Sequence, residues 1–235
     1  MLHLILHHAA LELVPDTPAV VNHPAIRNDA QRRRKPPNQL LLDLAVHKQA
    51  IPPSDQANRG RPDITHFCLL EWHFAAQPAL ELGHLSANHV SLTVHTRNDL
   101  SFVVPADWRV PVSYIRFRGL VEKLLVEGHL PAPTTVPLEV RQSSLDELVT
   151  RLSPTRVFEL TQHGPLSSPE FLTHLPQVCN SPDERWVLLV GGYQRGSITL
   201  PPFDGVSVEP IALSSAPLPA WKVVGLLVNP LLTQR

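Results

Sequence analysis

The chain has 235 residues, enough to bury a real core as one large domain or two small ones, and 43% of them are hydrophobic, a globular composition. Lys and Arg (20) nearly balance Asp and Glu (21), which excludes a uniformly basic nucleic-acid binder but leaves room for a local basic face. Every apolar run is broken well short of the roughly 20 residues of a bilayer span, Met1–Leu6 lacks a basic leader, and Cys68 and Cys179 make neither a disulfide framework nor a metal-spaced pair; no membrane segment and a reducing, cytoplasmic setting are expected.

In chain order, Leu2–Leu6 reads as a first strand and Pro24–Arg34 as a helix with a basic end, stopped by Pro36-Pro37. Gln39–Leu44 reads as a second buried strand or a helix start, and Gln49–Asn58 as loop. The stretch Arg59-Gly60-Arg61-Pro62-Asp63-Ile64 then packs two cations, one carboxylate and two backbone constraints into six residues. Pro62 suits the first position of a helix, where its missing N–H costs nothing, so Arg61 becomes the cap residue and Asp63 enters the positively polarised first turn. Ile64, Phe67, Cys68, Trp72 and Ala75 carry the helix on along one apolar side. A dipole-matched helix start accounts for this stretch, and so does a polar site at a helix mouth.

Leu92 and Val94, the turn Arg97-Asn98-Asp99 and Phe102-Val103-Val104 spell a hairpin. Pro105 and Pro111 bracket a short extended piece carrying Asp107, Trp108 and Arg109, and a helix with Phe117, Leu120, Val121, Leu124 and Leu125 follows, closed by Gly128. His129–Val136 is a linker or an elaborate loop. Beyond it come strand Leu138–Val140, a helix opened by the capping box Ser144-x-x-Glu147, strand Val157–Leu160, a helix from Ser168-Pro169, strand Trp186–Val190, a glycine loop, strand Val206–Ile211 and a last helix from about Ala220. Alternation of strands and helices implies an α/β fold with a mostly parallel sheet flanked by helices.

Ligands of such sheets collect at the carboxyl ends of strands. Three loops leave such ends here, Thr161–Gly164, Gly191–Gly196 and Ala212–Leu218, and glycine in the second lets backbone N–H groups approach a ligand. The order of those glycines is not the dinucleotide fingerprint, and no nucleophile elbow, Walker loop or zinc motif is present. The histidine spacings His3/His7/His8, His66/His73 and His84/His89/His95 lack the Cys or carboxylate partners of a ligand set, so no metal is expected. Arginines cluster beside turns and helix starts, in Arg32-Arg33-Arg34-Lys35, Arg59/Arg61, Arg97, Arg109 and Arg116/Arg118, a pattern suited to phosphate contacts.

Arg59–Ile64, Val94-His95-Thr96-Arg97, Pro111-Val112-Ser113-Tyr114-Ile115-Arg116-Phe117-Arg118-Gly119-Leu120, the Gly191–Gly196 loop, Pro217-Leu218-Pro219-Ala220-Trp221 and the opening Leu11-Glu12-Leu13-Val14-Pro15 together resemble the SPOUT-class small-subunit ribosomal RNA pseudouridine N1-methyltransferases of the nucleolar essential protein (essential for mitotic growth) family. The resemblance runs over essentially the whole chain, in the short form of the archaeal members. It implies a single SPOUT methyltransferase domain over 1–235, an α/β knot with a deep trefoil in its C-terminal part. RNA-contacting elements would lie around 59–120 and cofactor-binding knot loops around 160–221. Periodicity does not give the knot, and the usual rule against threaded loops argues the other way.

The resemblance also implies a homodimer that uses S-adenosylmethionine to methylate N1 of a pseudouridine in small-subunit ribosomal RNA, in ribosome biogenesis alongside ribosome-assembly proteins. Carried over by motif, the catalytic positions are Asp63 and Arg61, with Asp63 accepting a base N–H or acting as general base. The RNA-binding positions are Arg59, Arg61, Arg109, Arg116 and Arg118. The cofactor positions are Leu160, Thr161, Gly191, Gly192, Gly196, Ile211, Ala212, Leu213, Ser214, Pro217 and Leu218. Two departures stand out: Val112 where the family usually has Arg, and Gln194-Arg195 in place of the usual residues between the glycines. Two alternatives follow, an rRNA-binding small-subunit assembly factor with weak or lost methyl transfer, and a SPOUT methyltransferase acting on tRNA.

Overall fold

The computed structural model describes residues 1–83, 89–131, 134, 137–196 and 198–232. Strand β1 (Leu2–Ala9) leads through two helices, α1 (Pro18–Val21) and α2 (Pro24–Arg33), to the short α3 (Leu44–His47) and the long α4 (Pro62–Glu81). The hairpin β2 (Val90–Thr96) and β3 (Leu100–Val104) precedes α5 (Tyr114–Glu127), three two-residue strands β4 (His129–Leu130), β5 (Leu138–Glu139) and β6 (Arg141–Gln142), and α6 (Leu145–Leu152). The last third alternates: β7 (Arg156–Leu160), α7 (Pro169–Asn180), β8 (Trp186–Gly191), β9 (Val208–Ile211) and α8 (Ala220–Val228).

Seven strands form one sheet in the order β6-β3-β2-β1-β8-β7-β9. From β2 to β9 the pairings are parallel, and β3 and β6 add an antiparallel edge. Strand β1 is central, with Leu4 opposite Leu92 on one side and Leu188 on the other. Its residues divide by the two-residue period of a strand: Leu4 and Leu6 join the large core with Cys68, Trp72 and Val224, while Ile5 joins Leu145, Val149, Val157 and Val187 on the opposite face. A smaller core of Val14, Ile26, Leu40, Leu42 and Ile51 holds the helices between β1 and α4 together. Among the described residues no helix is long and apolar enough to cross a membrane.

The hairpin turns through Asp99 at φ 57, Gly128 ends α5 at φ 77, and the Ser144/Glu147 capping box opens α6, all as the sequence indicates. Other expectations change. Of the two alternatives for residues 39–44 the strand is absent: a turn of 3-10 helix at Pro37–Gln39 is followed by an isolated bridge between Leu41 and Leu13, and a helix, α3, starts only at Leu44. Phe67 is 44% exposed, because the buried side of α4 runs through Ile64, Thr65, Cys68, Leu69 and Trp72 and leaves Phe67 on its flank, against the ring of Trp221. The piece between Pro105 and Pro111 opens as a turn closed by Trp108 N–H on the Pro105 carbonyl. The predicted strand 138–140 is shortened to β5, paired with β4, while β6 just beyond it pairs with β3, and β9 begins at Val208 rather than Val206. Of the linker or loop 129–136, residues 132, 133, 135 and 136 lie outside the described residues, as does His84.

At the carboxyl end of the sheet the segment after β9 lies along the loop after β7. Leu166 and Ala212 form a parallel bridge, Ala212 N–H donates to the Pro165 carbonyl (2.8 Å) and Ser167 N–H to the Ala212 carbonyl (2.7 Å). The approach requires glycine at 164, where a Cβ would stand 2.6 Å from the Ile211 nitrogen. Beside it, the turn after β8 packs Gly192 onto β1, where a Cβ would meet the Ala9 Cα at 2.7 Å.

Candidate functional site

Two cavities open side by side at this end of the sheet. The first, of about 660 Å³, is lined by Asp43, Lys48, Arg61, Asp63, Tyr114 and Arg195 among others. Its floor is the start of α4. Gly60 suits its position twice over, with φ 62 and a site where a Cβ would crowd Ile51 and the Leu44 backbone; its carbonyl accepts from Leu44 N–H (2.7 Å) while Arg61 N–H donates to the Ala10 carbonyl (3.0 Å). Arg61 is thereby fixed between β1 and α3, with Pro62 at the first helical position. Its guanidinium forks onto Asp63, Nε to Oδ1 at 2.8 Å and Nη2 to Oδ2 at 2.7 Å. This hydrogen-bonded pairing raises the Arg61 pKa further, against the effect of burial. The helix start and the polar site are therefore the same structure.

Tyr114 and Asp43 face this pair. The Tyr114 hydroxyl donates to Asp43 Oδ2 (2.6 Å), and Asp43 Oδ1 accepts from Ala45 N–H at the cap of α3 (3.0 Å). Burial, then the Asp43 hydrogen bond, push the phenol well above its ordinary range, so it stays neutral. Tyr114 lies inside the sequence motif at 111–120, but its partner Asp43 is 71 residues away, so the sequence does not mark it as a site residue.

The predicted RNA-binding arginines separate. Arg59 turns inward, forking onto the buried Glu12 at 2.8 Å for both bonds, with Asp55 at 3.2 Å and Arg97 sharing Glu12 at 3.5 Å. Its charge is balanced inside the fold. Arg109 and Arg116 are exposed, and Arg118 is half-buried with its Nε packed away from solvent. None of these three lines the cleft; they lie outside it, along α5 and the segment before it.

The second cavity, of about 570 Å³, is enclosed by the three strand-end loops: Leu160 and Thr161 after β7, Gly191 and Gly196 after β8, and Pro217 and Leu218 before α8. A small neighbouring cavity of about 60 Å³, which shares Leu160, Thr161 and Leu218, adds Ile211, Ala212, Leu213 and Ser214. All the predicted cofactor positions but one thus border these two adjoining cavities. Gly192 is the exception: it is buried under the loop, its N–H on the His7 carbonyl (2.8 Å), and serves the packing of that loop on β1. His163 and Tyr193, within the predicted loops but not among the predicted site residues, also line the cavity, as do Glu159 and the buried His7, which sequence reasoning missed. Burial raises the Glu159 pKa and lowers that of His7 to about 3, with His8 and His95 adding to the latter. Gln194 and Arg195 border both cavities, and both their N–H groups donate to the Ala57 carbonyl at 3.1 Å, so one short backbone segment is the shared wall.

A family model described as EMG1/NEP1 methyltransferase matches residues 4–231. The ribosomal RNA small subunit methyltransferase Nep1 of Thermococcus onnurineus is 35% identical over 229 residues, 97% of this chain and 96% of that protein. That of Thermococcus kodakarensis is 36% identical over 231 residues, 97% of each. A crystal structure of Archaeoglobus fulgidus Nep1 bound to S-adenosylhomocysteine superposes with a TM-score of 0.71 at 28% identity, covering 94% of this chain and 93% of that one. With its sheet, its loops and nearly its whole length matched, the chain belongs to the EMG1/NEP1 methyltransferase family.

Proposed function

We propose that this protein is an S-adenosylmethionine-dependent methyltransferase that methylates N1 of a pseudouridine in small-subunit ribosomal RNA, as one SPOUT domain over 1–235 with a trefoil knot, acting as a cytoplasmic homodimer alongside ribosome-assembly proteins. The observation that carries the reading is the pair of adjoining cavities with a common wall at Gln194-Arg195, one built from three strand-end loops and the other floored by the Arg61–Asp63 pair. The seating of Ala212 along residues 165–167 supports the knot. Phe67, Phe74 and Leu226, exposed on α4 and α8, support an apolar subunit interface.

The second cavity suits the cofactor. Leu160, Pro217 and Leu218 give it apolar walls for an adenine, and Thr161, Ser214 and the loop backbone give polar groups for ribose and amino-acid parts. When bound, S-adenosylmethionine supplies an electrophilic methyl group on a sulfonium. The protein's part is alignment and handling of one proton. Asp63, held by the Arg61 fork, keeps free lone pairs and would accept the N1–H of the base, that proton going to the carboxylate or to water when the methyl passes from sulfur to N1 and the neutral thioether is left behind. Tyr114, anchored by Asp43, offers a neutral hydroxyl on the opposite wall. Arg109 and Arg116 lie outside the cleft as phosphate contacts for the flanking RNA.

One observation favours the assembly-factor reading: Val112 is 68% exposed at the position where an arginine is usual, and Ile115 beside it is 73% exposed, so this face grips phosphate less. Titration with S-adenosylmethionine, followed by methyl transfer to rRNA fragments carrying uridine or pseudouridine at the target, tests the proposal. Transfer to the pseudouridine fragment alone is expected. Cofactor-independent RNA binding without transfer would establish the assembly factor, and transfer to tRNA in preference would redirect the substrate.

A further inference from the structure

The cations around the acceptor cleft differ in what already balances them. Arg61 is forked onto Asp63 and Arg59 onto Glu12, so neither brings an uncompensated charge. Lys48 and Arg195 line the same cleft, both are exposed, and neither is paired with a carboxylate among the described residues. They come from distant parts of the chain, Lys48 from the end of α3 and Arg195 from the loop after β8. The backbone brings these parts together: Gln194 and Arg195 N–H share the Ala57 carbonyl, and the neighbouring Gln56 side chain donates to the Ile51 carbonyl (3.0 Å), closing the segment that begins at Lys48. Arg195 thus stands on the wall that the two cavities share.

We propose that Arg195, with Lys48, binds a phosphodiester of the acceptor RNA at the mouth of the cleft, a contact that neither the motifs nor the arginine clusters of the sequence assign. The proposal rests on the reading of the chain as an RNA methyltransferase. A guanidinium fork matches the two free oxygens of a phosphodiester, and a nearby ammonium adds a point charge. The same anionic chemistry exists in the carboxylate of the cofactor. Lys48, however, borders only the acceptor cleft, so the side the two cations share is the RNA side; a carboxylate in the cofactor cavity would meet Arg195 alone.

The test is the affinity for an rRNA fragment, read by fluorescence anisotropy over a salt series with S-adenosylhomocysteine present, for wild type, Arg195→Gln, Lys48→Gln, Arg195→Lys and the remote control Arg151→Gln. Loss of one charged contact lowers affinity about tenfold, and the slope of log affinity against log salt becomes shallower by about 0.7 for each phosphate released. Both are expected for Arg195→Gln and Lys48→Gln, with the slope kept in Arg195→Lys, the control unchanged, and the affinity for S-adenosylhomocysteine unchanged throughout. Weakened S-adenosylhomocysteine binding with a wild-type RNA slope in Arg195→Gln would assign the guanidinium to the cofactor and overturn the proposal. An equal effect in Arg151→Gln would overturn it as mere net charge. A wild-type protein whose slope depends on Arg195 but which transfers no methyl group removes the proposed reaction and keeps this site; one that methylates RNA with a slope indifferent to Arg195 does the reverse.

Discussion

Asp63 has both oxygens engaged by one guanidinium and still stands open to the cleft, a combination that separates its structural work from its chemical work. Asp63→Asn keeps the side chain's size and one acceptor oxygen, and Asn is tolerated in a first helical turn. The expected result is a melting temperature near wild type, near-normal binding of cofactor and RNA, and single-turnover methyl transfer lowered at least about a hundredfold, the low end for loss of a general base. Normal transfer with a lowered melting temperature would reduce Asp63 to a helix-start carboxylate. The sequence carries this pair plainly, since Pro62 dictates where the helix begins and so where Arg61 and Asp63 must stand. Arg59 shows the opposite case. Its partner Glu12 is 47 residues away, and nothing in a local pattern distinguishes a cation aimed at RNA from one aimed at a buried carboxylate. Tyr114 and Asp43, 71 residues apart, escape notice for the same reason.

Between elements, glycine marks contacts of two different kinds. At Gly192 an added Cβ would meet the Ala9 Cα, part of the central strand, which cannot yield; at Gly225 on α8 it would meet the carboxylate of Glu71 on α4, the far end of a flexible side chain. Gly192→Ala is therefore expected to destabilise by roughly 1–3 kcal/mol, the range for overpacking. Gly225→Ala should be neutral or slightly stabilising, as Ala is favoured over Gly within a helix by roughly 0.5–1 kcal/mol. Urea unfolding of both variants decides the matter, and equal losses would mean that α8 is held against α4 more rigidly than the geometry indicates. The strands and helices themselves were legible where a period or a cap announced them, as in β1, the β2–β3 hairpin and the Ser144 capping box. Of the two-residue strands, β5 was legible within Leu138–Val140, whereas β4 and β6 were not, because their pairing is set by the neighbouring chain rather than by any alternation of their own.

For the molecule as a whole, acid is the vulnerable direction. His3, His7, His8, His47, His66, His73 and His95 all sit below the usual histidine range, in each case first of all through burial, and His3 and His7 reach about 4 and about 3. The unfolded chain binds these protons below its ordinary value near 6.5 while the folded chain does not. The stability involved is present above that value and is lost as pH falls towards the folded values, with a slope of up to ~1.4 kcal/mol per pH unit for each buried histidine. Unfolding free energy measured in urea should begin to fall as pH drops below about 7.5, steepen through 6.5 and decline steadily to 4.5; a flat profile across that interval would contradict the buried, neutral state of these rings. Three of the seven, His3, His7 and His8, belong to β1, and the position of that strand has a temporal side. β1 is made first, yet its second edge pairs with residues 186–191. At synthesis rates of roughly 5–20 residues per second, that edge stands open for about 10–40 s before its partner exists. An eight-residue apolar strand so exposed invites pairing with other chains. His3, His7 and His8 break Leu2–Ala9 into short apolar pieces that match an aggregating run less well, and His3 and His7 are buried in the sheet once β8 has paired.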